Sequence, residues 1–326
     1  MSTEHVNQPT REIGQSGSKV PVVGLGCMGM SDFYGGRDKE RAIATLRDAL
    51  EIGVTRWDTS DMYGPHTNEL LLSEVLKTER ERVFLATKFG IMRNEKGEWL
   101  GINGRPEYAR QCCEASLKRL GVEQIDLYYL HRPDPEVPIE DTVGELARLV
   151  EEGKVANIGI SEHDVSLLRR AHKVHPIAAY QGELSLWTDV HEGEGNVIEA
   201  CAELGVTFVA YSPLGRGFLT GAIQSPEDLA DNDWRKTNPR FQGENFKSNL
   251  EIVQQVKAIA ESIGATPAQV SLSWILAKYP HSVVIPGTTK SKRVRENALA
   301  AQVELSGEQM KVLDGLAKNA QGGRYA

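Results

Sequence analysis

Ile125-Asp126-Leu127-Tyr128-Tyr129-Leu130-His131 decides how the rest of the chain is read. Its apolar residues are nearly continuous and lack the in-and-out alternation of a half-wet sheet. It therefore reads as a strand buried on both faces. An amphipathic stretch follows at 139–152, Gly153 stands where a helix would stop, and 157–160 is again a short apolar run. Strand, helix and strand in that order form the repeating unit of a parallel sheet.

Working outward, the same alternation covers the chain. Strand-like runs fall at 21–26, 55–58, 83–88, 125–131, 157–160, 178–181, 207–211 and 283–286. Amphipathic stretches lie between them at 39–52, 68–77, 106–120, 139–152, 164–174 and 195–204, with one longer helical region at 250–278. Two more helical patterns follow at 291–300 and 308–318. Thr266-Pro267 supplies a cap and a first-turn proline, and Ser306 with Gln309 fits a capping box. Eight strands each followed by a helix predict an α/β fold, a (β/α)8 TIM barrel with an N-terminal β-hairpin and extra C-terminal helices. The hairpin is 11–20, turning at Ser16-Gly17 and closing the barrel's bottom. Such barrels commonly use this much chain as one domain, so 1–326 reads as a single unit with 1–10 as a flexible tail. The polar, weakly patterned stretch 221–249 predicts a loop over substrate or cofactor; the alternative is a tolerated surface insertion.

Of 326 residues, 40% are hydrophobic and 25% are charged; 37 Lys+Arg against 45 Asp+Glu leave a net charge of −8. That balance argues against a phosphate backbone as partner, so no nucleic acid is expected. Cys27, Cys112, Cys113 and Cys201 form no CxxC pair and predict neither a disulfide framework nor a zinc site. His172 and His175 lack a third ligand, so no metal is expected. The first twenty residues carry no apolar secretory segment, and no run approaches the roughly 18 residues of a membrane span. These constraints predict a soluble cytoplasmic protein, monomer or homo-oligomer, with a small-molecule task and no membrane partner.

Gly24, Gly26 and Gly29 spell the dinucleotide fingerprint G-x-G-x-x-G. Its mechanism needs a helix to begin at the third glycine, and Met30-Ser31-Asp32-Phe33-Tyr34-Gly35-Gly36 is loop chemistry. The glycines read better as a turn at the top of the first barrel strand, where backbone passes close to a ligand.

Chemistry in a TIM barrel gathers at the C-terminal ends of its strands. There the second run gives Asp58 and, just beyond it, Tyr63; the third gives Lys88; the fourth gives His131. A tyrosine hydroxyl titrates near pH ~10. A nearby lysine favours phenolate and lowers that value, and an aspartate keeps the lysine charged and in place. A histidine beside the tyrosine can donate to a substrate oxygen. Together they make a general acid that protonates a carbonyl oxygen as a hydride reaches its carbon.

Trp57-Asp58-Thr59-Ser60-Asp61-Met62-Tyr63-Gly64, Ala86-Thr87-Lys88-Phe89-Gly90 and Asp126-Leu127-Tyr128-Tyr129-Leu130-His131 resemble the ordered motifs of the aldo-keto reductase superfamily. So do Gly153-Lys154-Val155-Ala156-Asn157-Ile158-Gly159-Ile160-Ser161 and Tyr211-Ser212-Pro213-Leu214-Gly215-Arg216-Gly217. The likeness runs from about 20 to 300. Arg240-Phe241-Gln242-Gly243-Glu244-Asn245-Phe246 is similar to the bacterial and plant branch with a shortened C-terminus. The resemblance implies a reductase of aldehydes and some ketones that binds NADP(H) without a Rossmann domain. It makes Tyr63 the general acid, Lys88 and Asp58 its supporting pair, and His131 the residue that orients the carbonyl.

The same resemblance implies a cofactor site. Tyr211 stacks on the nicotinamide, Ser161 and Gln181 hold its carboxamide, and Leu214 and Arg216 lie on a loop that clasps the pyrophosphate. Glu162 departs from the Asn often found after that serine, and its carboxylate can accept but not donate. Lys290, Lys292, Arg293 and Arg295 fall within six positions after the last strand, at a predicted helix N-terminus suited to phosphate. Arg293 is implied on the 2′-phosphate, with Thr288 and Lys290 beside it and Glu296 and Asn297 at the adenine. Met28, Ser212, Gly287 and Thr289 complete the implied cofactor set. Tyr34, Trp99 and Trp187, with Met28 and the 221–249 loop, are the candidates for a pocket that takes a small carbonyl substrate with an apolar tail. An alternative within the same resemblance is a non-catalytic regulatory subunit that binds NADPH.

Overall fold

The computed structural model describes residues 4–32, 38–188, 195–231 and 233–323. In chain order its strands are β1 (Thr10–Glu12), β2 (Lys19–Pro21), β3 (Leu25–Gly26), β4 (Arg56–Asp58), β5 (Phe84–Phe89), β6 (Ile91–Arg93), β7 (Trp99–Ile102), β8 (Leu127–Leu130), β9 (Ile158–Ser161), β10 (Ile177–Glu183), β11 (Thr207–Tyr211) and β12 (Ser282–Val284). Its helices are α1 (Lys39–Ile52), α2 (Thr67–Glu79), α3 (Pro106–Leu120), α4 (Ile139–Glu151), α5 (Val165–Val174), α6 (Val197–Leu204), α7 (Gly243–Ser262), α8 (Pro267–Lys278), α9 (Ser291–Leu299) and α10 (Gly307–Ala317). β1–β2 and β6–β7 are antiparallel hairpins. The other eight strands form one parallel sheet in the order β3-β4-β5-β8-β9-β10-β11-β12. Parallel bridges Val23–Val284 and Gly26–Gly287 join its two edges, so the sheet closes into a (β/α)8 barrel.

Alternation along each barrel strand separates two layers. Trp57, Leu85, Phe89, Tyr128, Leu130, Ile158, Ile160, Tyr180 and Phe208 pack outward in the main core. Ala86, Leu127, Tyr129, Ala179, Val209 and Val283 fill the interior, and Ile13 and Val20 of the first hairpin plug its base. A Cβ on Gly159 would stand 2.4 Å from the Tyr129 ring, so glycine there makes room for an interior aromatic. The interior parity carries on to the strand tops, where Asp58, Lys88, His131, Ser161, Gln181 and Tyr211 are the next residues in line.

The glycines of the apparent dinucleotide fingerprint start no long helix and lead into a turn at the top of the first barrel strand. Gly29 lies in a 3-10 turn (Met28–Met30), and a Cβ on Gly26 would stand 2.8 Å from the Ile285 carbonyl. The close neighbour is thus backbone just beyond β12. Other expectations need correction. The first strand-like run, 21–26, divides because Pro21 ends β2, leaving Leu25–Gly26 to pair with β4. Region 250–278 is two helices, parted where Thr266 caps α8 through the Gln269 N–H at 3.2 Å and Gln269 returns a bond to the Thr266 N–H at 2.9 Å. The expected loop 221–249 is shorter, because α7 begins at Gly243 and buries Phe246, Ile252, Val253 and Val256. Val6, in the expected tail, is buried, and its N–H donates to the Ile52 carbonyl at 2.8 Å. Among the described residues no helix is long and apolar enough to cross a membrane.

Candidate active site

β4, β5 and β8 end side by side, and their last interior residues meet. Lys88 is fully buried and pairs with Asp58 Oδ1. Its ammonium also donates to the Thr59 carbonyl at 2.8 Å and lies 5.3 Å from the centroid of the Tyr63 ring. Two of its three N–H donors are thus occupied, and the third is left for the Tyr63 side. Gln181 Nε2 donates to Asp58 Oδ2 at 2.8 Å, which satisfies the other carboxylate oxygen. The rings of Tyr63 and His131 stand edge to face with centroids 6.0 Å apart. Asp58, Tyr63, Lys88 and His131 therefore form one buried cluster.

The electrostatics favour a protonated phenol and a neutral imidazole. Burial works against the Lys88 charge, but Asp58 and Tyr63 outweigh it, so the ammonium is held more firmly than usual. Burial pushes the Tyr63 hydroxyl up; Lys88 pulls it down, Asp58 pushes it up again, and the net direction is upward. This reverses the net lowering expected from the sequence, because desolvation outweighs the lysine. Burial, then Lys88 and Arg132, hold His131 well below its ordinary value. At neutral pH the cluster presents a tyrosine O–H and an uncharged imidazole beside a cation, which is what a proton donor to a carbonyl requires.

Polar residues that sequence reasoning left aside hold this cluster in place. Asn68 accepts from Thr59 Oγ1 at 2.6 Å and donates to the Cys27 carbonyl at 2.9 Å, tying the tops of the first two barrel strands together. Glu69, fully buried on α2, accepts from Thr87 Oγ1 at 2.7 Å and pairs with Arg119 at 2.6 Å. A polar pair at the inward face of a helix is a weak sequence signal, since helical periodicity predicts apolar residues there.

The rim above β9 to β12 has a different character. Ser161 ends β9 buried, with its Oγ 3.4 Å from Arg132 Nη1, and Tyr211 ends β11 half-buried. Glu162, Ser212 and Arg216 adopt left-handed backbone at φ 61, 49 and 58°. Glu162 Oε1 accepts the Glu183 N–H at 3.0 Å. Arg216 pairs with buried Glu183 at 3.1 Å and stacks 4.6 Å from the Trp234 ring centroid; Leu214 sits at the start of the same turn. α9 begins after Gly287, Thr288, Thr289 and Lys290, and Lys290 at its N-cap position makes no side-chain cap bond. Lys290, Lys292 and Arg293 are exposed there, whereas Arg295 pairs with Glu4 at 3.7 Å. Thr288 and Asn297 are buried and Glu296 is half-buried. A helix N-terminus with exposed cations suits a phosphate. The donor set fits a dinucleotide phosphate.

The pocket candidates separate. Met28 is half-buried on the turn after β3. Trp99 is 58% exposed on the β6–β7 hairpin. Trp187, expected at the rim, is buried instead, stacked on Phe218 at 4.4 Å and edge-on to Phe241 at 5.2 Å. It packs the floor under the Arg216 turn. Tyr34 lies outside the described residues.

The model of the Aldo/keto reductase family matches residues 22–318. The chain belongs to that family. Among solved structures, a thermostable aldo-keto reductase crystallised with the inhibitor epalrestat is 30% identical; the match covers 95% of this chain and all of that one, at a TM-score of 0.77. A glycerol dehydrogenase from Gluconobacter oxydans is 26% identical over 100% of this chain and 98% of its own, at a TM-score of 0.84. An aldo-keto reductase from Bacillus halodurans in its holo form, 24% identical over 98% and 99% of the two chains, shares the fold at a TM-score of 0.79. As a family member the chain is an oxidoreductase, and aldo-keto reductases generally use nicotinamide cofactors.

Proposed function

We propose that the chain is an NADPH-dependent reductase that converts aldehydes, and some ketones, to alcohols. The observation that carries this reading is the single buried cluster formed by Asp58, Tyr63, Lys88 and His131 at three adjacent strand ends. In it the Tyr63 hydroxyl gives its proton to the carbonyl oxygen. Lys88, held by Asp58, stabilises the phenolate that remains, and neutral His131 donates a hydrogen bond to the same oxygen and orients it. Bound reduced nicotinamide supplies the hydride. Ser161 and Gln181 would hold the carboxamide, and Tyr211 would stack on the ring. Leu214, Ser212 and Arg216 would cover the pyrophosphate, beside Met28. Gly287, Thr288, Thr289, Lys290 and Arg293 would take the phosphate end, and Glu296 and Asn297 the adenine. The exposed cations at the α9 N-terminus favour NADPH over NADH. Trp99 supplies an apolar wall near the mouth.

The test follows cofactor absorbance with aromatic, aliphatic and dicarbonyl aldehydes under NADPH and NADH, and with glycerol and NADP+ for the reverse direction, since one relative is a glycerol dehydrogenase. Turnover with NADPH well above NADH supports the reading. Cofactor binding without turnover on any substrate would overturn it in favour of a regulatory subunit.

A further inference from the structure

Two residues beneath His131 take no direct part in the proposed reaction. Ser60 Oγ lies 3.2 Å from His131 Nδ1 and 3.2 Å from Asp61 Oδ1. It also accepts the Met62 N–H at 3.3 Å and lies 3.4 Å from the Lys88 carbonyl. Ser60, Asp61 and His131 are all buried. A hydroxyl has one hydrogen, so Ser60 can donate to His131, to Asp61 or to the Lys88 carbonyl, but to one at a time. What Asp61 needs therefore decides what His131 receives.

Asp61 forms no ion pair among the described residues. Glu69 on α2 faces it, as do Arg119, Tyr108 and Cys112 on α3 and Tyr128 on β8. Arg119 is already held by Glu69 at 2.6 Å. His131 in turn faces Lys88 and Arg132, with Tyr63 at its ring. Burial, then Glu69, push the Asp61 carboxyl up to about 8, against Arg119, the Ser60 hydroxyl and the Met62 amide.

We propose that Asp61 and Ser60 are positioning residues: a hydrogen-bonded chain from the Asp61 carboxyl through Ser60 Oγ to His131 Nδ1 keeps the ring proton on Nε2, the nitrogen left for a carbonyl oxygen. The carboxylic acid donates to Ser60, and Ser60 donates to Nδ1. Once Asp61 ionises, its carboxylate takes the Ser60 hydrogen. Nδ1 must then carry the ring proton to bond Ser60, and Nε2 changes from donor to acceptor while the ring stays neutral. The functional meaning rests on the reductase reading, in which His131 donates to the substrate, but the tautomer itself is measurable without turnover.

The test is nitrogen NMR of the full chain with labelled histidine, from about pH 6 to about pH 10. The His131 ring is assigned by its loss in His131→Gln. The wild type is expected to hold the proton on Nε2 at neutral pH and to shift it to Nδ1 above about 8, where Asp61 ionises. Asp61→Asn, whose amide donates to Ser60 and does not titrate, is expected to keep Nε2–H throughout. In carbonyl reduction the same variant is expected to move the alkaline fall of kcat/KM upward. A wild-type tautomer that stays constant across the range would overturn the proposal, and that result needs no variant to fold. So would an Asp61→Asn protein that keeps the wild-type shift.

Discussion

The rim over β4, β5 and β8 and the rim over β9 to β12 are made from strand ends of one barrel, yet they are finished to different degrees. In the first, Lys88 is occupied by Asp58 and the Thr59 carbonyl, and Asp58 by Lys88 and Gln181, all buried. In the second, Lys290, Lys292 and Arg293 stand exposed at an uncapped helix start. The backbone there also holds Glu162, Ser212 and Arg216 in left-handed conformations, at about 1–3 kcal/mol each. Under the proposed function, the difference separates chemistry from recognition. Dipoles aimed at a developing charge act best when they need no rearrangement, so they are fixed beforehand. Groups that grip a ligand's phosphates stay in water until it arrives.

Substitutions can break or sharpen that contrast. Tyr63→Phe deletes the proposed proton donor from the finished rim and leaves the open one intact. Carbonyl reduction should fall by about 10²–10⁴-fold, while fluorescence titration gives an unchanged NADPH affinity. Lys88→Met leaves the buried Asp58 carboxylate without its cation and should lower unfolding stability by about 3–5 kcal/mol, read by urea denaturation. A loss near zero would mean that the cluster is wetter than its burial implies. Arg293→Ala acts on the open rim alone. It should weaken NADPH binding by the worth of a charge-assisted bond, about 1.5–3 kcal/mol, and leave NADH binding and the folded stability nearly untouched. Equal losses for both cofactors would remove the 2′-phosphate from that site. Thr266→Ala, whose capping partner Gln269 reaches the Glu296 carbonyl of α9 at 3.2 Å, should cost about 1 kcal/mol of stability through its capping box and little in kcat, which calibrates the other stability changes.

Much of this architecture is legible in the sequence, because buried parallel strands are continuous apolar runs and helices declare their ends. The stretch 106–120, opened by Pro106 and closed by Gly121, is α3 to the residue. Legibility fails where neighbours in space set the outcome. Leu25–Gly26 is a minimal strand because Pro21 belongs to the hairpin, and the start of α7 is marked by no cap side chain. At the site, strand-end position was enough to single out Asp58, Lys88 and His131 for one rim. It could not give the Gln181–Asp58 bond, which joins residues 123 apart in sequence. Nor could it separate Trp187, which packs beneath a turn, from Trp99, which stands in the open. Ser60 and Asp61 carry no such signal in sequence, because their meaning depends on Ser60 facing His131 Nδ1 and Asp61 facing Ser60.

The most direct test of the central claim is product labelling. Wild-type protein and Tyr63→Phe would be incubated with an aldehyde and NADPH carrying deuterium at both C4 positions, and the alcohol analysed by mass spectrometry. Deuterium is expected on the carbinol carbon with the wild type, and almost no labelled alcohol is expected from the variant in the same time. Unlabelled alcohol, or equal labelled product from both proteins, would contradict it.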